Sequence, residues 1–184
     1  MRIVRPTESD VITQHFGSTA VDYSKWGVIG HPGTDRRAPE GSPIVSPIAG
    51  LASAKENPPG FGHYVFVVPG RAIMCWQGNF EALWLEVLDG PGAKAMFQLP
   101  TIPEGAHTIY GTLLIFLAHL SKQLAPTSGV QVSAGRLVGR AGSSGNSTAA
   151  HLHEEWRFWG WDTWDGKPHP YKGAFNAEKL YQEA

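Results

Sequence analysis

The stretch Gly139–Arg157, GRAGSSGNSTAAHLHEEWR, constrains the chain more than any other. Its first half is built of Gly, Ser, Asn and Ala, residues that accept tight or left-handed backbone and resist long regular structure. At His151 the character changes: leucine, tryptophan and a run of larger side chains follow, and a β-strand is expected. Side chains alternate between the two faces of a strand, so His151 and His153 point one way and Leu152 the other. Two imidazoles on one face can present a metal ligand or an acid–base pair. They can equally be surface histidines on an exposed strand, and the His-x-His pattern favours neither.

A fold built on such turns and strands agrees with the composition. The chain has 22 glycines, 14 prolines and only 17% charged residues in 184 positions, which favours a β-rich single domain over a helical bundle. The net charge of −1 leaves no electrostatic footprint for nucleic acid or an anionic membrane. Cys75 is alone, which excludes an internal disulfide framework and a cysteine-based zinc knuckle. Leu113–Ala118, the longest purely apolar run, is too short to span a bilayer, and the first residues show no apolar core of a secretory signal. A soluble protein with no stable membrane insertion is expected, with a monomer as the favoured state.

Along the chain, Gly30–Pro43 holds three glycines and three prolines and reads as loop and turn. Ile44–Ala54 reads as strand, turn, strand; Gly62–Val68 and Val130–Val138 read as strands; Thr112–Leu120, apolar on both faces, reads as a central buried strand. Phe80–Leu88 is the best helix candidate, with a strand as its alternative, and a short polar helix is expected near Asn176–Gln182. Residues 70–112 read as an excursion from the main sheet that walls or lids a groove, or decorates one edge. The fold class is therefore mainly β: an antiparallel, sandwich-like single domain over 1–184 with a small helical excursion and a short C-terminal helix. Trp156, Trp159, Trp161 and Trp164 are expected to pack the core rather than stack on sugars. His119 is unexpected in so apolar a strand, and alone it reads as a hydrogen-bonded core histidine. His15, His63, His107 and His169 read as structural or exposed.

His31 and Asp35 are four residues apart, but Pro32 and Gly33 forbid the helix that usually exploits this spacing. A tight loop can instead fold both side chains onto one ion. With His151-x-His153 they form two short ligand pairs far apart in sequence. A catalytic zinc site takes three protein ligands and keeps a position open.

Six blocks in order carry a family resemblance: Gln14–Gly17 (QHFG), Gly30–Pro43 (GHPGTDRRAPEGSP), Pro47–Gly50 (PIAG), Phe61–Val65 (FGHYV), Ala118–Ser121 (AHLS) and Gly139–Arg157. The chain resembles the zinc metallopeptidases of the lysostaphin and LytM type, which hydrolyse peptide bonds in bacterial peptidoglycan. The resemblance implies a sheet of the duplicated hybrid motif type. It also implies one Zn2+ per chain held by His31, Asp35 and His153, with His119 and His151 flanking the reacting water as general base and transition-state stabiliser. Glu155, in phase with the histidines, either orients a ligand or is a solvated strand carboxylate or the partner of Arg157. The expected activity is zinc-dependent endopeptidase cleavage of a cross-link or stem peptide, by a protein made in the cytoplasm and delivered to the wall by lysis or as a virion component. The alternative is a non-catalytic zinc-containing wall-binding or phage structural module, against which the presence of all five site residues argues.

The pattern is broken at Glu154, where an apolar or aromatic residue is usual, at Arg36 and Arg37 after Asp35, and at Leu117. Glu154 is expected to pair with an arginine of the 36–37 segment.

Overall fold

The computed structural model describes residues 2–90, 102–164 and 166–181, the side chain of Trp164 excepted. Positions 91–101 of the expected excursion, Asp165 and Gln182 lie outside the described residues.

In chain order the strands are β1 (Ile12–Gln14), β2 (Thr34–Arg37), β3 (Pro43–Val45), β4 (Gly50–Asn57), β5 (Gly62–Gln77), β6 (Glu81–Val87) and β7 (His107–Ala118). Then come β8 (Leu120–Gln123), β9 (Val130–Val132), β10 (Leu137–Ala141), β11 (His151–Trp159), β12 (Thr163–Trp164), β13 (Lys167–Pro168) and β14 (Ala174–Phe175). Single 3-10 turns lie at Ser24–Trp26 and Glu178–Tyr181. The main sheet runs β1-β2-β11-β7-β5-β4-β9, with β14 added to β11 and β6 to β5; a smaller sheet runs β3-β10-β8. These pairings are antiparallel throughout, and the fold is mainly β as expected. Among the described residues no helix is long and apolar enough to cross a membrane.

Alternation explains how one sheet serves two purposes. On β7, Leu113, Ile115 and Leu117 are fully buried on one face, where Val65 and Val67 of β5 and Leu152, Trp156 and Phe158 of β11 join them. The small sheet adds Ile44, Leu120, Val138 and Ala141 to the same core. On the opposite face Phe116 meets Tyr64 and Phe66 with ring centroids 6.0 and 6.4 Å away. That second face carries His151, His153, Glu155 and Arg157, and it becomes the floor of a groove.

Several expectations change. Phe80–Leu88 is not a helix: Glu81–Val87 is strand β6, because the long β5 offers an edge for it to pair with, from Ala72↔Val87 to Gln77↔Glu81. The unpaired backbone of β5 decides a segment whose own pattern is ambiguous. Residues 70–112 begin and end inside the main sheet, since Gly70–Trp76 of β5 pairs with Leu113–His107 of β7. Part of the Gly30–Pro43 loop, Thr34–Arg37, is strand, held between β1 and β11. The C-terminal helix is the one turn Glu178–Tyr181, with Leu180 and Tyr181 buried. Trp156 and Trp161 pack the core, whereas Trp159 is 73% exposed.

Of the two readings, structural or exposed, His169 takes the first: it is a core histidine, with a measurable consequence. Its Nδ1 accepts the backbone N–H of Tyr171 at 3.1 Å and of Gly173 at 3.0 Å, and its ring lies against Trp161 and Phe80. Burial, and then the positive charge of Arg157, push it down to about 4. The folded state then binds fewer protons than the unfolded chain between pH 6.5 and 4. The stabilisation is present above about pH 6.5 and is lost as pH falls toward 4, up to ~3 kcal/mol for this group. Denaturant midpoints at pH 7 and 4.5 should differ less in His169→Phe than in the wild type.

Candidate metal centre

Strand pairing assembles the centre. β2 and β11 run antiparallel with His153 opposite Asp35 and His151 opposite Arg37, so Asp35 and both histidines share the groove face. His31 comes from the preceding loop, which is pinned to the Gln14–Gly17 turn: Gly17 N–H donates to the His31 carbonyl at 2.8 Å, and His31 N–H to the Ser18 carbonyl at 2.9 Å. Gly33 lets that loop pass over the strand, since a Cβ there would sit 2.5 Å from the Glu154 carbonyl and 2.7 Å from His153 Cε1.

His31 Nε2 lies 3.0 Å from His153 Nδ1 and 3.2 Å from Asp35 Oδ1, and His153 Nδ1 lies 2.9 Å from Asp35 Oδ1. The outer nitrogens decide what the inner ones can offer. His31 Nδ1 faces the His15 carbonyl at 3.3 Å and His153 Nε2 faces Glu155 Oε2 at 3.4 Å, both acceptors, so each outer nitrogen carries its hydrogen. Two imidazole lone pairs and a carboxylate oxygen therefore converge on one point, an arrangement that calls for positive charge at its centre. A divalent cation of the nitrogen–oxygen-loving kind fits this donor set. With a proton as the only cation in the cluster, the same demand for positive charge shows in its titration. Asp35 stays ionised far below the usual carboxylate range: burial opposes this, but the bonds from His153 and His31 outweigh it. His153 is pushed up to about 9, since Asp35 and Glu155 outweigh the opposing effect of its complete burial.

The other two histidines stand beside this cluster. His119 follows the last residue of β7 in a left-handed backbone conformation (φ 60°), with its ring centroid 4.8 Å from that of His151 and 5.8 Å from that of His153. Its Nδ1 donates to the Ser144 carbonyl at 2.8 Å, and His151 Nδ1 donates to the Ala149 carbonyl at 2.8 Å. Each bond leaves Nε2 as a bare lone pair; that of His151 lies 3.6 Å from Asp35 Oδ2. Burial, and then the positive charge of His153, push His119 down to about 4, so it is neutral at physiological pH. It is a hydrogen-bonded, buried histidine and also part of the site. Glu155 is fully buried, so it is no solvated strand carboxylate; it faces His153 and pairs with Arg157.

No protein-family model matches the sequence, and no curated protein matches it. Solved structures do. The catalytic domain of the prophage-encoded M23 protein EnpA from Enterococcus faecalis shares 23% identity, 91% of this chain and 88% of that one, at a TM-score of 0.53. The lysostaphin catalytic domain from Staphylococcus simulans shares 19% identity over 94% and 92% of the two chains, at a TM-score of 0.56. LytU matches at 19% identity, 100% and 90% coverage and a TM-score of 0.56. The chain has the fold of the M23 peptidases.

Within this M23 fold the centre opens into a groove of about 370 Å3. One wall is the segment from Val21 to Val28 with Tyr23 and Trp26; the other is formed by Asn57–Phe61 and Asn146–Thr148. Among the described residues none of 70–112 lines it, and positions 91–101 of that segment lie outside the described residues. Tyr23, whose ring lies 5.4 Å from that of His31, and Trp26 were not singled out in the sequence. Their signal was two large aromatics in an otherwise small, polar stretch, STAVDYSKWG.

Proposed function

We propose that the chain is a zinc-dependent endopeptidase that hydrolyses peptide bonds of bacterial peptidoglycan, with His31, Asp35 and His153 holding one Zn2+ and His119 and His151 acting on the substrate. The observation that carries this is the convergence of three inner lone pairs, fixed by outer hydrogen bonds, beside two further imidazoles on the floor of an open groove. A zinc ion in this donor set supplies Lewis acidity, polarising a carbonyl and lowering the pKa of water from about 15.7 to roughly 7. The chain's own residues do the rest. His119 and His151 each present Nε2 as a proton acceptor because Nδ1 is committed to a backbone carbonyl, so either can take a proton from attacking water and return it to the leaving amine. Once protonated, the same nitrogen can donate to the developing oxyanion. The groove walls at Tyr23, Trp26 and Phe61 hold an extended peptide against these groups.

Metal analysis of the purified protein, paired with mass spectrometry of muropeptides after digestion of several wall types, tests the reading. One zinc per chain and new amino termini are expected. Zinc bound with no cleavage of any wall would overturn the activity and leave a wall-binding or structural module.

A further inference from the structure

The groove face does not stop at the metal centre. A second basin, of about 480 Å3, lies farther along the same sheet face, and Arg157 and Lys172 line both cavities. They form a neck between the two.

Both cations are held in place with bonding capacity to spare. Arg157 follows His153 and Glu155 on one face of β11, so its backbone stands about 13 Å from that of His153 at strand spacing. Its guanidinium is anchored at one end by Glu155 and lies over the Phe116 ring, with Cζ 5.7 Å from the centroid. Its side chain keeps 25% exposure into the two cavities, and its Nε has no hydrogen-bond partner among the described residues. Lys172 is exposed and forms no ion pair among the described residues. Its Cε and Nζ lie 3.1 Å from where a Cβ of Gly27 would be, so the bare backbone at Gly27 gives the ammonium its place across the neck. Beyond the neck, Leu114 and Phe116 offer an apolar floor. A planar guanidinium with donors to spare and an exposed ammonium beside it match one ligand group well, a carboxylate.

We propose that the neck binds a free carboxylate of the substrate, so that the chain selects acidic peptides whose carboxylate lies three or four extended residues from the bond held at the metal centre. The proposal rests on the peptidase reading for the identity of the ligand, and its test is chosen to separate the two. The other lining charge of the basin, Asp162, repels a second acidic group there. The site therefore accepts one carboxylate rather than a polyanion.

The probe is a set of soluble cross-linked muropeptides from one wall, used before and after conversion of their carboxyl groups to amides with carbodiimide and ammonia. Titrated onto the zinc-loaded protein, the amidated set should bind about tenfold more weakly, the worth of a charge-assisted pair. In Lys172→Gln the acidic set should lose most of that advantage while the amidated set binds as before. Equal affinity for the two sets, no binding of either, or an equal loss for both in Lys172→Gln, overturns the carboxylate neck. A tenfold preference without cleavage of either set upholds the neck and overturns the peptidase reading.

Discussion

Alanine at His119 is expected to leave one zinc per chain in place while hydrolysis falls by roughly 10²–10⁴-fold, the usual contribution of a positioned acid–base group. The expectation follows from its bonds. His119 makes no hydrogen bond to His31, Asp35 or His153; its committed partner is the Ser144 carbonyl. The backbone complicates the substitution, because alanine at φ 60° costs stability of its own. Asparagine tolerates that conformation better, so His119→Asn separates lost chemistry from lost folding. His151→Ala, in ordinary strand backbone, should behave alike. Metal content by atomic absorption beside rates of muropeptide release checks the set, and loss of zinc from either variant would make that histidine a ligand.

The second large effect lies beneath the sheet. Arg36 and Glu154 alternate with Asp35 and His153 and so face the core, where both are almost wholly buried. Arg36 Nε donates to Glu154 Oε2 at 2.8 Å, Trp156 Nε1 donates to Glu154 Oε1 at 2.7 Å, and Tyr181 donates to the same oxygen. Arg36 also reaches Glu178. Removing one partner strands a charge away from water. Arg36→Leu should therefore cost about 3–5 kcal/mol in chemical denaturation. The pair Arg36→Leu/Glu154→Phe, which restores apolar character, should recover most of it. Additive losses in the double variant would mean the two side chains act independently.

Much of the centre was legible because strand alternation is a strict rule. His151, His153 and Glu155 could be put on one face from spacing alone, and they stand there. The division of ligands from their neighbours came from the family resemblance, because spacing by itself does not say which imidazole points inward. The pairing of Glu154 with an arginine of the 36–37 segment followed from two departures from pattern that compensate each other. What stayed hidden was set by partners distant in the chain. Thr34–Arg37 is strand because β1 and β11 bond to it, although its flanks are turn-forming. Glu81–Val87 is strand because β5 runs on past the groove. Tyr23 and Trp26 wall the groove from a stretch with one short 3-10 turn, too brief to leave a period in the sequence.

The buried pair also sets an order of events. Arg36 and Glu154 are synthesised before Glu178 and Tyr181, the groups that complete their hydrogen bonding from the other side. While those residues are still inside the ribosome, the ligand strands must dock over a charge cluster that lacks two of its contacts. The cleft then sets firmly only after residue 181 has emerged. A site arranged in this way ripens late, and a nascent or truncated chain is poorly prepared to assemble it.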